Sequence, residues 1–345
     1  MHTRRTLITG GAGFIGANLA HRLLVSGNEV IVYDNMSRRG ARGRVAWLTS
    51  NHGLGRLRVV PADVNDVDTL KRSAEGADVV FHLAGQVAVT CSVSDPRADF
   101  TDNAMGTFNT LEAARAAGND PIFVYASTNK VYGRLPDLEV VEDATRYRCP
   151  SLPFGIPETQ RLDFHSPYGC SKGAGDQYVH DYARIYGLRS VVLRQSCVHG
   201  ALQFGAEDQG WVSWLIIAAL LDRPVRVYGD GKQVRDLLFI DDLVDAYQAV
   251  VDNIGVAAGK VYNIGGGPDN ALSIWAEFGP LVEELAGHRI PVTYRPWRPG
   301  DQPVYVSDIR LAGRDLCWQP RVSAREGVVR TFNWIKAHLS AFEAA

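Results

Sequence analysis

The sequence is short of several things, and each shortage closes off a class of function. No run of about 18 apolar residues occurs, so no helix is expected to span a membrane. The most apolar stretch, Trp211 to Leu221, is too short. Neither sign of charge is in excess: 36 Lys and Arg face 38 Asp and Glu, a net charge of −2. Nothing therefore steers the chain towards nucleic acid at long range. Cysteine is sparse and scattered. Cys91, Cys149, Cys170, Cys197 and Cys317 are an odd set without metal-ligand spacing. No metal site is expected, and a reducing, cytoplasmic setting fits them. A strand pattern begins within the first four residues, with no signal-peptide pattern before it. Repeats and low-complexity tracts are absent. What is present, 345 residues with 46% hydrophobic and 21% charged, suits one large or two moderate globular domains with ample core.

The chain is organised around its first 35 residues. The apolar strand Leu7-Ile8-Thr9 runs into Gly10-Gly11-Ala12-Gly13-Phe14-Ile15-Gly16, a helical pattern follows, and a second strand, Val30 to Tyr33, ends at Asp34. Glycines let a backbone turn tightly and approach a pyrophosphate, whose charge the helix N-terminus binds. An acid closing the second strand is placed to accept bonds from a ribose diol. Strand, turn, helix, strand and acid in that order make a dinucleotide site the expectation. Arg38 and Arg39 in the next loop suit a 2′-phosphate, but Asp34 would repel one, so NAD is expected rather than NADP.

Strands alternating with helices continue, which predicts an α/β, doubly wound parallel sheet of Rossmann type. Val59 to Val64 is a third strand; Asp63 and Val64 lie near the adenine, unless Asp63 caps the helix from Val67. Asp78 to Gly85 is a fourth, whose small end, Leu83-Ala84-Gly85, lets a cofactor lie flat. After a loop through Gln86, a helix runs from Asp102 to Ala117. Pro121 to Ala126 is a fifth strand, ending in Ser127-Thr128-Asn129. Gly133 to Ser166 is long and irregular, hence functional or mobile. A helix carries Tyr168 and Lys172 to about Tyr186, and Leu188 to Gln195 is a sixth strand. Beyond Ser196 tryptophans cluster and segments shorten. Leu237–Ile240 and the helix after it read as a return to the sheet. Ser273 caps a helix to about Ala286. The expected division is residues 1–195 plus about 236–264 for the dinucleotide, and about 196–235 plus 265–345 for a smaller, discontinuous α/β substrate domain.

Tyr168 and Lys172 share a helix face. A phenol at its ordinary pKa of about 10 is a poor base at neutral pH. A lysine one turn away, with a nearby nicotinamide cation, favours the phenolate. Tyrosinate then takes a hydroxyl proton while the carbinol hydride leaves, and Thr128 at the strand end orients the same hydroxyl.

These residues resemble the extended short-chain dehydrogenase/reductase superfamily, the nucleotide-sugar epimerases and dehydratases, over nearly the whole chain. The matching phrases are Gly10-x-x-Gly13-x-x-Gly16, Asp34, Asp63-Val64, His82-Leu83-Ala84-Gly85, Asn103-x-x-Gly106-Thr107, Val131-Tyr132-Gly133, Tyr168 with Lys172, and Gln233-Val234-Arg235-Asp236. The resemblance implies tightly held NAD, a catalytic set of Thr128, Tyr168 and Lys172, and a nucleoside diphosphate sugar as substrate. It implies cofactor contacts from Gly10, Gly13, Phe14, Ile15, Gly16, Asp34, Asn35, Ser37, Arg38, Asp63, Val64, Leu83, Ala84, Gln86, Asn103, Tyr168 and Lys172. It also implies a homodimer built on the helices around Thr107–Ala117 and Gly173–Tyr186. Rarer phrases, Ala84-Gly85-Gln86-Val87-Ala88, Ser127 to Gly133, Leu162 to Lys172 and Asp208-Gln209-Gly210-Trp211-Val212, resemble the CDP-paratose 2-epimerase family within it. There NAD transiently oxidises C2 of a CDP-3,6-dideoxyhexose and hydride returns to the other face. The related 4,6-dehydratases follow the threonine with Asp-Glu; here Asn129-Lys130 stand there, which disfavours dehydration. A UDP- or GDP-sugar 4-epimerase is the alternative, and a non-catalytic NAD-binding regulator a distant one.

For the substrate, Arg235 and Arg298 suit a diphosphate, with a salt bridge from Arg235 to Asp236 or Asp241, or a solvated Arg298, as the competing readings. Asp301 suits a ribose. Phe204, Gln209 and Tyr228 are expected around the base or sugar, and Gln86, Thr128 and Asn129 at sugar hydroxyls. Trp211 and Trp214 read as interface core before base stacking, and His199 as packing before substrate contact. Cys197-Val198-His199-Gly200 departs from the superfamily's Asn-Val-Tyr-Gly, and a thiol cannot replace an amide donor to the diphosphate.

Overall fold

The computed structural model describes residues 3–298 and 301–343. Its centre is a seven-stranded sheet, all parallel. From one edge the strands are Val261–Ile264, Ser190–Gln195, Ile122–Thr128, Val79–His82, Arg5–Thr9, Glu29–Asp34 and Leu57–Pro61. Chain order reverses between Arg5–Thr9 and Val79–His82, which opens a crevice at their carboxyl ends. Neighbouring residues on each strand serve opposite cores. Leu7, Ile31, Val80, Phe123 and Val192 pack on one face; Ile8, Val32, Phe81, Val124 and Leu193 pack on the other. Both faces are apolar because helices cover both, so these strands read as continuous hydrophobic runs.

A second assembly of strands and helices follows. Val225–Tyr228 pairs in parallel with Val292–Arg295, and Val234–Phe239 pairs with Cys197–His199, Ala271–Ser273 and Val304–Tyr305. Helices Trp211–Leu220, Phe278–Ala286 and Ala324–Ala337 pack on these strands around Ile216, Phe278, Val282 and Phe332. Trp211 and Trp214 border that core.

Several sequence expectations need correction. Leu237–Phe239 does not return to the main sheet; it lies in the smaller one, and the helix Ile240–Asp252 and the strand Val261–Ile264 go back, as does the later helix Arg310–Leu316, whose Ala312 and Leu316 join the main core. The stretch before Asp102 is not a loop. Helices Val89–Ser94 and Pro96–Phe100 fill it, then a π-helical turn, Thr101–Met105, leads into Gly106–Arg115. Pro96 forces the break, and the Asp95 carboxylate caps the restart by accepting the Ala98 N–H at 3.0 Å. Asp66, not Asp63, caps the helix Val67–Ala74 through the Thr69 N–H at 3.2 Å. Ser273 Oγ accepts the Glu277 N–H at 2.9 Å, but the regular helix starts only at Phe278. All five cysteines are free thiols.

The long segment after Gly133 is tied down rather than loose. It carries a small hairpin, Val141–Glu142 with Tyr147–Arg148. Arg146 grips Glu277 with two bonds of 2.7 and 2.6 Å, Tyr147 Oη donates to Asp230 at 2.5 Å, and Ile156 N–H reaches Val306 O at 2.7 Å.

One buried carboxylate locks the helix Ser166–Tyr186 to the strand ends. Asp176 accepts Ser127 Oγ at 2.7 Å and both arms of Arg194 at 2.9 Å. Arg194 also donates to Tyr132 Oη at 3.1 Å, and that phenol donates to Asn263 at 2.7 Å. Removing one partner of a buried pair leaves an uncompensated charge. Asp176→Ala is therefore expected to lose about 3–5 kcal/mol of stability. Urea unfolding measures this; a loss under about 1 kcal/mol, the range of an exposed pair, would contradict it.

Candidate active site

The glycine turn sits at the mouth of the crevice. Gly10 adopts a φ of +70°, and a Cβ there would lie 2.7 Å from Ala84 N. A Cβ on Gly16 would lie 2.7 Å from Gly11 Cα and drive into Gly10 O. Both positions therefore need glycine for the turn and for strand–helix approach. The helix Phe14–Val25 starts after Gly13 with no side-chain cap and no acid in its first turn. Its first N–H groups are free of protein side chains, which leaves them for a pyrophosphate. Phe14 and Ile15 are that first turn.

Asp34 ends the second strand as expected. One carboxylate oxygen accepts the Ala12 N–H at 3.0 Å, the other the Met36 N–H at 2.8 Å. A carboxylate has about four acceptor positions, so two remain for a ribose diol. Arg44, buried behind it, donates to the Ala12, Leu202 and Arg39 carbonyls. Asn35 Nδ2 crosses to Asp63 at 2.7 Å, and Ser37 N–H bonds Asn35 Oδ1 at 3.0 Å. Val64 packs against Gly106, and its carbonyl accepts from Asn109 at 3.2 Å. Leu83 and Ala84 N–H groups bond to Thr9.

Asn103 lies in the π-helical turn, fully buried. Its amide donates to Asp99 at 3.0 Å and Ser171 Oγ at 3.2 Å, while its Oδ1 has no partner among the described residues. An orphaned buried acceptor beside Gly85, together with the glycine cradle, fits a dinucleotide lying along this edge. When bound, NAD supplies the redox chemistry, taking up and returning a hydride.

Thr128, Tyr168 and Lys172 come together, each largely buried. The Thr128 hydroxyl stands close enough to the Tyr168 phenol to favour its ionised form. Thr128 Oγ1 also accepts the Lys130 N–H at 3.2 Å. Lys172 Nζ lies over the Tyr125 ring, 4.3 Å from its centroid. Behind them His82, between Thr9 at 2.7 Å and Thr107 at 3.0 Å, is held neutral: burial, then Lys172, push it down to about 3.

The electrostatics differ from the expectation. Burial pushes the Tyr168 phenol up to about 12, against the pull of Thr128, and the cation that reaches it is Arg38 rather than Lys172. Burial pushes Lys172 down to about 7, with Asp176 and Asp99 opposing. Burial therefore works against the charged form of both groups, and Lys172 is not among the charges that act on the phenol.

The expected substrate residues divide. Arg235 pairs with Asp301 at 2.6 Å, not with Asp236 or Asp241, and donates to Val234 O at 2.7 Å. Arg298 is not a solvated charge: it bonds Asp208 at 2.9 Å and Glu207 O at 3.2 Å, and stacks 4.1 Å over the Tyr228 ring. Tyr228 Oη donates to Glu207 at 3.0 Å. Gln209 pairs its backbone with Ala206. Asn129 is buried and accepts from Thr128 Oγ1 at 3.4 Å. Gln86 folds back on Ala88 and donates to Asp99 at 3.2 Å. Phe204 does not join this group: its ring packs on Phe342 at 4.8 Å and takes the guanidinium groups of Arg39 and Arg44. His199 is core, with Nδ1 at 2.9 Å from Thr331 and its pKa lowered by burial to about 3. Cys197 Sγ accepts the Trp211 indole N–H at 3.4 Å.

Residues missed from sequence are Asp99 and Asp176. Asp99 takes Ser171 Oγ at 2.5 Å and supports Asn103, Gln86 and the charge of Lys172. Asp176 is legible as the residue four beyond Lys172, on the same helix face.

The fold and this constellation define an NAD-dependent enzyme of the doubly wound class. Residues 6–265 match the model of the NAD dependent epimerase/dehydratase family. The chain belongs to that family. It is 43% identical to CDP-paratose 2-epimerase of Salmonella typhi, over 96% of this chain and 98% of that one. It is 33% identical to UDP-glucose 4-epimerase of Mycolicibacterium smegmatis, over 96% and 98%. Among solved structures it resembles UDP-glucuronic acid 4-epimerase from Bacillus cereus in complex with UDP-glucuronic acid and NAD: TM-score 0.83, 28% identity, 97% of this chain and 99% of that one.

The lysine shift carries a pH signature. Between about 7 and the ordinary 10.5 the unfolded chain holds a proton on Lys172 that the folded chain lacks. Stability of cofactor-stripped protein therefore gains from this group as pH rises through that window, and loses the gain as pH falls through about 7. Urea unfolding of the wild type and Lys172→Met at pH 7 and pH 10 is expected to show the wild type improving relative to the variant by a few kcal/mol, on the order expected for a buried lysine. A difference that does not change with pH would contradict it.

Proposed function

We propose that this chain is a nucleotide-sugar epimerase that inverts C2 of a CDP-linked 3,6-dideoxyhexose. A C2–H beside no carbonyl is too weakly acidic for a simple base, so inversion there needs oxidation first. Tyr168 removes the hydroxyl proton and later returns it; Thr128 orients the hydroxyl; Lys172 supports the phenolate and, with Asp99 and Asp176 beside it, is kept from losing its charge altogether. The observation that carries this reading is the turn after Thr128. Elimination of water requires an acid/base pair facing the sugar, and Asn129 and Lys130 stand where one would be. The 43% identity to a CDP-paratose 2-epimerase favours CDP and C2. The UDP-glucose and UDP-glucuronic acid 4-epimerases named above favour C4 of a UDP-sugar as the second reading, since one proton-transfer set serves either carbon.

In this reading the smaller strand assembly holds the nucleotide, with Arg235 and Arg298 towards the diphosphate, Asp301 towards the ribose, and Gln209 and Tyr228 towards the base or sugar. The exposed apolar side chains Phe108, Tyr178, Ile185 and Tyr186, on helices Gly106–Arg115 and Ser166–Tyr186, support a homodimer. Light scattering reads its mass, and a monomer would refute it.

Purified protein incubated with CDP-, UDP- and GDP-sugars in deuterated water tests the reaction. The expected result is an inverted CDP-sugar without solvent deuterium at the inverted carbon. Deuterium there would mean deprotonation at carbon and overturn the mechanism. Tyr168→Phe is expected to keep its fold and its NAD while losing at least ~10²-fold in kcat, the low end for a general acid/base. Unchanged turnover would remove the tyrosine from the chemistry.

A further inference from the structure

Two residues beyond Thr128 stands a cation that no described residue neutralises. Lys130 belongs to the short 3₁₀ turn Asn129–Tyr132. Its backbone is pinned at both ends: the N–H donates to Thr128 Oγ1 at 3.2 Å, and the carbonyl accepts the Gly133 N–H at 3.2 Å. The partly buried side chain stands in the field of Arg235, Asp301, Cys197 and Arg298. Asp301 is already paired to Arg235 at 2.6 Å, and Arg298 already to Asp208 at 2.9 Å. Among the described residues the Lys130 ammonium makes no hydrogen bond or ion pair. Cys197, where the superfamily carries an amide, is itself occupied by the Trp211 indole. Three cations thus converge with partners for two. An ammonium partly removed from water is costly unless an anion meets it.

We infer that Lys130 receives the β-phosphate of the substrate and that this contact selects C2 as the carbon presented to Thr128 and Tyr168. The inference rests on the nucleotide-sugar reading above and goes on to name the residue that sets the reacting carbon. On a hexose ring the C2 hydroxyl is vicinal to the anomeric oxygen that carries the phosphate, whereas the C4 hydroxyl lies across the ring. Thr128 takes the reacting hydroxyl. The Cα atoms of Thr128 and Lys130 are no more than about 7 Å apart, the reach of two residues, so the reacting hydroxyl and the phosphate are taken from one short turn. A phosphate beside the C2 hydroxyl is met with the lysine folded back, whereas C4 at Thr128 needs it extended, and the shorter span favours C2. Lys130 is thus a positioning residue for the reaction rather than a proton donor in it.

The test uses the NAD-loaded protein, with CDP and CMP as probes and the uridine and guanosine pairs alongside. CDP ends in the β-phosphate and CMP lacks it. Lys130→Met is expected to weaken CDP binding by about 10-fold or more, the loss of one charge-assisted hydrogen bond. CMP binding is expected to stay within about 2-fold, and Lys130→Arg to restore most of the CDP affinity. Equal loss for CDP and CMP, or loss for neither, overturns the assignment. Failure of the unaltered protein to bind any diphosphate overturns the nucleotide-sugar reading itself. The choice of carbon is read on the unaltered protein, independently of any variant's folding. Deuterium at C2 of the turned-over sugar is expected to slow kcat and deuterium at C4 to leave it unchanged; the reverse overturns C2 selection.

Discussion

The site depends on a conflict of solvation. One helix face buries a phenol and an ammonium four residues apart, and desolvation drives each towards its neutral form: Tyr168 up to about 12, Lys172 down to about 7. Neither value suits proton transfer from a sugar at neutral pH. The protein offsets only part of this. Asp99 and Asp176 flank Lys172, the Tyr125 ring lies 4.3 Å from its ammonium, and Thr128 leans on the phenol. In the proposed reaction the positive ring of the oxidised cofactor would supply the remainder. On that proposal the cofactor cradle and the helix that carries Tyr168 must be held in one register.

That register comes from the sheet. The carboxyl ends of the first, fourth and fifth strands supply Gly10, the Leu83-Ala84-Gly85 floor and Thr128, so three parallel strands fix three parts of the site. Asp176 then ties the tyrosine helix to the fifth and sixth strands through Ser127 and Arg194, one turn beyond Lys172. The same buried carboxylate therefore sets geometry and charge together. The long segment from Gly133 bridges to the smaller strands through Arg146–Glu277 and the Ile156–Val306 hydrogen bond.

Much of this was legible in the sequence where chemistry is local. The glycine turn, Asp34, the strand ending in Thr128 and the Tyr168/Lys172 spacing each depend on neighbours in the chain, and the structure places them as their patterns imply. What escaped depends on distant contacts. Leu237 to Phe239 is as apolar as a central strand, yet pairs with Cys197–His199 because apolarity does not specify a partner. Pro96 disguised two helices as a loop until the Asp95 cap was visible. Phe204, expected around the base or sugar, packs on Phe342 beside the guanidinium groups of Arg39 and Arg44, contacts that lie far from it in sequence. Asp99, remote from the Tyr168/Lys172 motif, showed no sign of standing beside Ser171 and within the field of Lys172.

The most direct test of the solvation conflict is a spectrophotometric titration of Tyr168, taken as the difference between wild type and Tyr168→Phe, in cofactor-stripped and NAD-loaded protein. The phenol is expected to ionise near 12 when stripped and at a distinctly lower pH when the oxidised cofactor is in place. The same ionisation in both forms would show that the cofactor's charge does not tune this base, and the account would fail at its centre.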